Sequence, residues 1–178
     1  MSPHASALAT LEGWPAPSEE QAALAADFVR HLRAHPDGLA RSCFPRHLTA
    51  GALVLSEDRD RVLLNLHRKA GRWFHFGGHI EEVDTSLAAA ALRESLEESG
   101  LGDLRLSEAP IQLSAHAVPF CDARGEVTHL DVRYLALAPA TAMPVVSEES
   151  ESVRWFDIDA LPTQDPDMLE LIRLARAV

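Results

Sequence analysis

Cysteine is scarce in this 178-residue sequence, and its scarcity excludes several kinds of small protein. Only Cys43 and Cys121 occur, too few for a disulfide framework or an all-cysteine metal cage. Both are expected to be small packed residues, although the nearby His47 leaves a catalytic thiol at Cys43 as an alternative. No apolar run is long enough to span a bilayer, and no charged-then-apolar signal opens the chain. We therefore expect a cytoplasmic protein without a membrane partner.

Basic residues are also few. Sixteen Lys and Arg stand against 27 Asp and Glu, for a formal net charge of −11. Polymeric nucleic acids and anionic membranes are bound by net positive surfaces, so neither is an expected partner. Hydrophobic residues make up 47% of the chain, enough for the core of one domain. The acidic net charge and the globular hydrophobic content together favour an enzyme that acts on a small molecule.

The first 40 residues are predicted to form an N-terminal arm and a helix, followed by the main domain over residues 41–178. Residues 1–17 show no hydrophobic period and are expected to be a loose arm, anchored by Trp14. Ser18 is a typical N-cap, and apolar residues at helical spacing follow it up to Pro36. This helix is expected to pack on the domain, with a homodimer contact as the alternative.

Strand patterns begin at His47 and predict a hairpin whose second strand runs from Arg61 to Leu66. Further strands are predicted over residues 111–118, 127–137 and 152–156, and a final helix over 165–177. Because one helix lies between the early and the late strands, we expect an α/β fold with a mixed sheet between helices.

A glycine loop at Gly77-Gly78 runs into an alanine-rich helix that ends in acidic residues. This helix is predicted to begin between Asp84 and Ser86 and to continue to Ser99, with Gly100 as its stop. Residues three and four apart share a helix face, which brings together Glu94, Glu97 and Glu98. Like charges at the negative end of a helix dipole repel, and Arg93 alone does not neutralise them. Oxygen-only ligands suit Mg²⁺ or Mn²⁺. A solvated acidic helix face is the simpler alternative.

This stretch resembles the signature of the Nudix hydrolases. The matching positions are Gly78, Arg93, Glu94, Glu97, Glu98, Gly100 and Leu101. Three positions depart from the pattern: Asp84 replaces Glu, one extra residue precedes Arg93, and Ser95 replaces a hydrophobic residue. The resemblance implies a Nudix-type α/β/α sandwich and hydrolysis of a diphosphate linkage in a nucleoside diphosphate joined to another group.

The resemblance also implies roles for individual residues. Glu94, Glu97 and Glu98 are expected to hold the metal, with a backbone carbonyl from Gly77 or Gly78, so that a bound water attacks phosphorus. Arg93 would orient Glu97. In several Nudix enzymes an acidic residue before a late Trp-bearing strand is the base, and Glu149, with Glu148 next, occupies that place here.

Substrate contacts are predicted at two further places. The run from Arg61 to Ile80 contains no acidic residue, so its cations Arg68, Lys69 and Arg72 are expected to capture an anionic substrate. His79 lies in the glycine loop itself and is a further predicted substrate contact. His129 and Asp131 share one face of a strand. A second metal, a contact with base or sugar, and a simple ion pair are all open for them.

Two other functions fit the same fold. One is a non-catalytic sensor of nucleotides or similar ligands, which would generally lack the metal carboxylates. The other is an isopentenyl diphosphate isomerase, which uses a Cys and a Glu, but neither cysteine here lies in the motif of that family.

Overall fold

A computed structural model describes residues 1–139, 141–146 and 150–178. The elements in chain order are α1 Pro3–Gly13, α2 Glu19–Ala34, β1 Arg46–Ser56, β2 Arg61–His67, β3 Arg72–Phe74, β4 Phe76–His79, α3 Leu87–Ser99, β5 Arg105–Leu106, β6 Gln112–Asp122, β7 Gly125–Ala138, β8 Ser150–Asp157 and α4 Pro166–Ala177. The predicted hairpin, later strands and final helix are confirmed, with bounds that differ by a few residues.

The strands form one mixed sheet around β1. β1 and β7 run parallel in continuous register, from Arg46 opposite Thr128 to Ser56 opposite Ala138. The other pairings, of β1 with β2 and β4, β2 with β3 and β8, and β7 with β5 and β6, are antiparallel. This confirms the mixed sheet predicted from the order of strands and helices.

β1 and β2 diverge after a short contact at Val54 and Leu55 of β1. Nearer its start, β1 pairs with β4 through residues 49–52, while the later part of β2 pairs with β3. The β3–β4 segment therefore lies between the two diverging strands. Its end places Gly77 and Gly78 beside the centre of β1.

Hydrophobic cores cover both faces of the sheet. Alternate residues of β1, among them Ala50 and Ala52, join the core beneath α1, α2 and α3. Leu53 and Leu55 point the other way, into the core beneath α4. Because successive strand side chains point to opposite faces, the continuous apolar run of β1 is buried on both sides. The α/β/α sandwich is confirmed.

The acid-tipped helix α3 has the predicted limits. Ser86 accepts a hydrogen bond from Ala89 N at its start, and Gly100 ends it in the left-handed conformation, φ 66°. Ala90 and Ala91 are fully buried. Their small side chains allow the helix to lie close to the sheet and to bring its acidic end to the β4 loop.

The prediction of a loose arm over residues 1–17 is wrong, because most of it is helix α1. Ser2 caps this helix, and Ala7 and Leu11 are 0% and 2% exposed. An alanine-rich helix shows little contrast between its faces, which is why the sequence pattern missed it. The anchoring role of Trp14 is supported, since its Nε1 donates to Pro110 O at 2.6 Å.

Helix α2 begins after Ser18, as predicted, and packs on the domain. Phe28 and Leu32 are fully buried in the core shared with α3. The Gln21 amide both donates to and accepts from the backbone of Leu113 on β6, at 3.0 and 2.7 Å. Within the described ranges, no helix combines the length and apolarity needed to cross a membrane.

Candidate active site

Gly77, the second residue of β4, connects this strand to the acidic end of α3. Its N–H donates to Oε2 of Glu98 at 3.0 Å, and Glu98 is only 7% exposed. A Cβ on Gly77 would lie 2.7 Å from the Cα of Gly51 on β1. Two glycine backbones therefore touch here, which permits the loop to approach the sheet and Glu98 at once.

Gly78 is a glycine for a different reason. A Cβ at this position would lie 2.7 Å from the carboxyl carbon and from both oxygens of Glu94. Real Cβ atoms are essentially never found so close to another heavy atom. The Glu94 carboxylate thus occupies the space that any other residue at position 78 would fill.

Arg93 connects the carboxylates of this end of the helix. Its Nη1 donates to Glu94 Oε1 at 2.9 Å and to Glu97 Oε2 at 3.2 Å, and its Nη2 donates to His79 O at 2.9 Å. The contact expected with Glu97 is present. The shortest contact in the set, however, is with Asp84, at 2.8 Å from Nη2.

Asp84, which stands in place of the Glu of the signature, is buried at the start of the helix. Its Oδ2 accepts from Glu81 N at 2.8 Å, and its Oδ1 accepts from Nε of Arg93 at 3.1 Å. Burial opposes ionisation, but the hydrogen bonds from Arg93 and Glu81 hold the pKa of the Asp84 carboxyl below its usual value. Asp84 therefore holds Arg93 and the loop in place.

The three glutamates differ in exposure. The side chains of Glu94 and Glu97 are 16% and 62% exposed, and Glu98 is almost buried. Across the described part of the chain, two clusters bring three or more metal-binding atoms within 4.8 Å of one another, and neither contains a glutamate. The donor set is nevertheless all oxygen, partly neutralised by one arginine, and fits a hard divalent cation.

A cavity of about 660 Å³ opens beside the Gly77-Gly78 loop. Its lining includes several of the predicted residues: Lys69, Arg72, Gly78, His79, Glu98, His129 and Asp131. Arg68 does not line it, and its Nη2 instead donates to Ser150 O at 3.1 Å. Arg72 forms an ion pair with Asp165 at the edge of the cavity.

A buried charge network forms one wall of the cavity. Arg133 donates to Asp131 and to Asp167, both at 2.7 Å, while Nε2 of His75 lies 3.2 Å from Asp131. Burial opposes ionisation, but the charge of Arg133 and the hydrogen bond from His75 keep the pKa of Asp131 well below its usual value. Sequence reasoning missed Arg133, although strand alternation places it on the face of Asp131.

His129 and Asp131 share a face of β7 but have different partners. Nε2 of His129 lies 3.2 Å from the sulfur of Cys121, and Nε2 of His79 lies 3.4 Å from the same atom. Asp131 belongs to the network with Arg133. The two residues therefore share a strand face and line the same cavity, but their side chains take part in different contacts.

The acidic loop before β8 is described only in part. Glu148 and Glu149, the candidates for the base, lie outside the described residues. Glu151 is described and is exposed on β8, two residues before the buried Val153.

The sequence matches the model of one protein family. The NUDIX domain matches residues 45–175. The oxidized purine nucleoside triphosphate hydrolase of Mus musculus is 34% identical over 116 residues, which cover 64% of this chain and 69% of that protein.

Solved structures agree on the fold. A NUDIX-family hydrolase from Clostridium perfringens has a TM-score of 0.59 at 23% identity, covering 74% of this chain and 97% of that one. An Ap4A hydrolase from C. elegans has a TM-score of 0.58 at 21% identity, covering 73% and 95%. The matched span includes the glycine loop, α3 and the cavity wall, and the chain belongs to the Nudix family as one of its hydrolases.

Proposed function

We propose that the chain hydrolyses a diphosphate linkage in a nucleoside diphosphate joined to another group, with Mg²⁺ or Mn²⁺ as cofactor. The observation that carries this proposal is the close packing of Glu94 on Gly78 next to the hydrogen bond from Gly77 to Glu98. These contacts hold two carboxylates against the loop that borders the cavity. A solvated acidic helix face would not require a glycine beneath one of its carboxylates.

Nudix hydrolases generally use divalent metal ions, and the residues present fit one. Glu94, Glu97 and Glu98 would hold it, with the carbonyl of Gly77 or Gly78 as a further oxygen ligand. When bound, such an ion supplies charge neutralisation at the phosphates and lowers the pKa of a bound water. Arg93 orients Glu94 and Glu97 and offsets the repulsion between them, since one guanidinium nitrogen donates to both.

Proton removal from the attacking water is assigned to Glu149. The proposal rests on its place in the acidic loop ahead of Trp155, and this loop precedes β8, which pairs with β2 beside the cavity. A general base must come within hydrogen-bond reach of the water, so the assignment requires the loop to face α3 in the complex.

Phosphate capture is assigned to Lys69 and Arg72 of the acid-free run, which both line the cavity. Within the described part of the chain Lys69 forms no ion pair with an acidic side chain, so a phosphate would meet an uncompensated ammonium group. Arg72 forms an ion pair with Asp165. Arg68 is predicted from the sequence for the same role but does not line the cavity, so Arg68→Ala is the control for variants of Lys69 and Arg72.

Buried polar atoms in the cavity favour a ligand with its own hydrogen-bonding groups. Oδ1 of Asn65 and Nδ1 of His75 are buried, and no partner reaches either atom from the residues that the structure describes. Such atoms are costly unless they are paired. A nucleobase edge would pair with them where binding turns these two side chains toward the cavity.

The mouse relative supports the same substrate class. Its name describes hydrolysis of a nucleoside triphosphate, which is a nucleoside diphosphate joined to a further phosphate. The assignment of a hydrolase, and the retention of all three carboxylates, favour hydrolysis over the sensor and isomerase alternatives.

The test is a panel of nucleoside triphosphates and diphosphate-linked nucleotides, incubated with Mg²⁺ and separated by chromatography. We expect cleavage between phosphates, abolished by EDTA and reduced on the order of a hundredfold in Glu97→Gln. Glu20→Gln, at an exposed position of α2, removes the same charge and should retain the parent rate. Equal rates in Glu97→Gln and Glu20→Gln, or full activity in EDTA, would contradict the proposal.

A further inference from the structure

Four residues from four strands converge on one point beside the cavity. They are His47 on β1, His79 on β4, Cys121 on β6 and His129 on β7, and one ligand atom from each lies within 4.8 Å of the others. The Nε2 atoms of His129, His79 and His47 lie 3.2, 3.4 and 3.9 Å from Sγ of Cys121.

The three imidazoles surround the sulfur in a nearly symmetric way. The centroid distances are 5.0 Å between His47 and His129, 5.1 Å between His47 and His79, and 5.2 Å between His79 and His129. Tetrahedral zinc, with Zn–N of about 2.05 Å and Zn–S of about 2.3 Å, places nitrogen and sulfur about 3.6 Å apart. The three observed distances lie on either side of that value.

The backbone fixes the tautomer of one ligand. Nδ1 of His47 lies 3.0 Å from Cys43 O, so it carries the proton that it donates to that carbonyl. Nε2 of His47 then presents its lone pair to the cluster. Metal-binding histidines are generally oriented by such a bond from the other ring nitrogen.

Burial keeps the remaining imidazoles neutral. Burial, with the neighbouring His47, lowers the pKa of His79 to about 4, and burial with the neighbouring His79 and His47 lowers the pKa of His129 to about 3. Neutral imidazole is the form that binds metals. A single thiol proton can satisfy one acceptor at most, whereas one cation would satisfy all four ligand atoms.

We propose that His47, His79, Cys121 and His129 bind one Zn²⁺ ion. This site is distinct from the glutamate site, since imidazole and thiolate favour zinc while carboxylate oxygens favour Mg²⁺ or Mn²⁺. With four protein ligands it has the composition of a structural site rather than one open to a water nucleophile. Of the roles left open for His129, it takes that of a metal ligand, and His79 is a metal ligand rather than a substrate contact.

The ion would stabilise the part of the fold that positions the catalytic loop. It joins β6 and β7 to β1 and to His79, the residue next to Gly78, and the carbonyl of His79 already accepts from Arg93. Because the first and last ligands, His47 and His129, are 82 residues apart in the chain (129 minus 47), the binding free energy contributes to folding. The proposal does not depend on the substrate assigned above.

Zinc titration of chelator-treated protein tests the site directly. We expect one tightly bound Zn²⁺ per chain in the parent and in Glu97→Gln, measured by competition with a chromophoric chelator. Cys121→Ser should weaken this binding by on the order of a hundredfold or more, since even outer partners of a metal ligand contribute 10–100-fold. Cys43→Ser is the matched control, because it removes the other thiol and leaves the carbonyl that bonds His47.

Cobalt substitution of the parent gives a readout that needs no variant to fold. Bound Co²⁺ should show a thiolate charge-transfer band in the near ultraviolet together with the intense visible bands of tetrahedral coordination. Zn²⁺ at a hundredfold excess over its dissociation constant should raise the melting temperature of the parent and Cys43→Ser by about 5 °C or more, but not that of Cys121→Ser.

Three outcomes of these zinc and cobalt measurements would contradict the proposed site. A Co²⁺ spectrum without the thiolate band, or equal Zn²⁺ affinity in the parent and Cys121→Ser, would overturn the proposal. Loss of tight zinc binding in Glu97→Gln, with retention in Cys121→Ser, would also overturn it by assigning the zinc to the glutamates. Hydrolysis can fail for every substrate in the panel without changing these measurements.

Discussion

Replacement of Gly78 by alanine should separate catalysis from stability. The new Cβ would lie 2.7 Å from the Glu94 carboxyl group, and ordinary contacts begin at 3.4 Å, so the carboxylate must move by 0.7 Å (3.4 minus 2.7). The displaced atoms are the far end of a flexible side chain, which can move without disturbing the backbone. The backbone of Gly78 is not in the left-handed region.

Gly78→Ala is therefore expected to change the free energy of unfolding only slightly. Alanine reduces the conformational entropy of the unfolded chain, which stabilises by about 0.4–1 kcal/mol where the conformation is compatible. The effect on rate is large, because Mg²⁺ demands near-ideal geometry and a misplacement of about 1 Å can cost a hundredfold. We expect kcat to fall on the order of tenfold to a hundredfold.

The assay is nucleotide hydrolysis over a range of Mg²⁺ concentrations, beside thermal unfolding of the same protein. Gly77→Ala is the comparison, since its Cβ would meet the backbone of Gly51 and Ala50 at 2.7 and 2.9 Å and should destabilise the fold itself. Full activity and unchanged Mg²⁺ dependence in Gly78→Ala would refute the argument that Glu94 is a ligand held by this contact. So would a loss of stability equal to that of Gly77→Ala.

The remaining predictions concern the base, the capture of phosphate and the response to acid. Glu149→Gln should lower kcat by on the order of a hundredfold or more while Glu151→Gln does not, and the reverse result in the same pH–rate assay would move the base to Glu151. Lys69→Ala should raise KM by about tenfold, the effect of losing one charge-assisted contact of ~1.4 kcal/mol, with little change in kcat. Arg68→Ala should change KM less, because Arg68 does not line the cavity. Equal effects of the two substitutions on KM would contradict the assignment of Lys69 to phosphate capture. The folded-state pKa of His129 is lowered by burial and by the neighbouring imidazoles from 6.5 to about 3, so the unfolded chain takes up a proton that the folded chain does not. The free energy of unfolding of metal-free protein, measured in urea, should therefore fall as the pH drops below 6.5, with a shallower fall in His129→Asn.

Much of the catalytic helix could be predicted because its signals are local. The cap at Ser86, the stop at Gly100 and the shared face of Glu94, Glu97 and Glu98 follow from spacing within one helix. The alternation of apolar residues likewise predicted the strands and the sandwich. Predicting these features required no knowledge of which strands are neighbours.

The contacts that complete the site are long-range, and local spacing does not encode them. Asp84, which replaces the Glu of the signature, accepts two hydrogen bonds from Arg93. Its side chain is shorter than that of Glu, and the turn before α3 places it within reach of the arginine. The burial of α1 also depended on a surface formed elsewhere, since its own sequence has little amphipathic contrast.

The sequence by itself determined the sandwich, the helix with its three carboxylates and the acid-free run that leads to the glycine loop, because each depends on residues that are neighbours along the chain. Only the tertiary structure decided that Lys69 and Arg72 reach the cavity while Arg68 does not, since that depends on where β3 enters between β1 and β2. The tertiary structure likewise decided that three histidines and one cysteine from four strands share one point. Their convergence follows from strand register, which brings His47 opposite His129 across the parallel pair of β1 and β7.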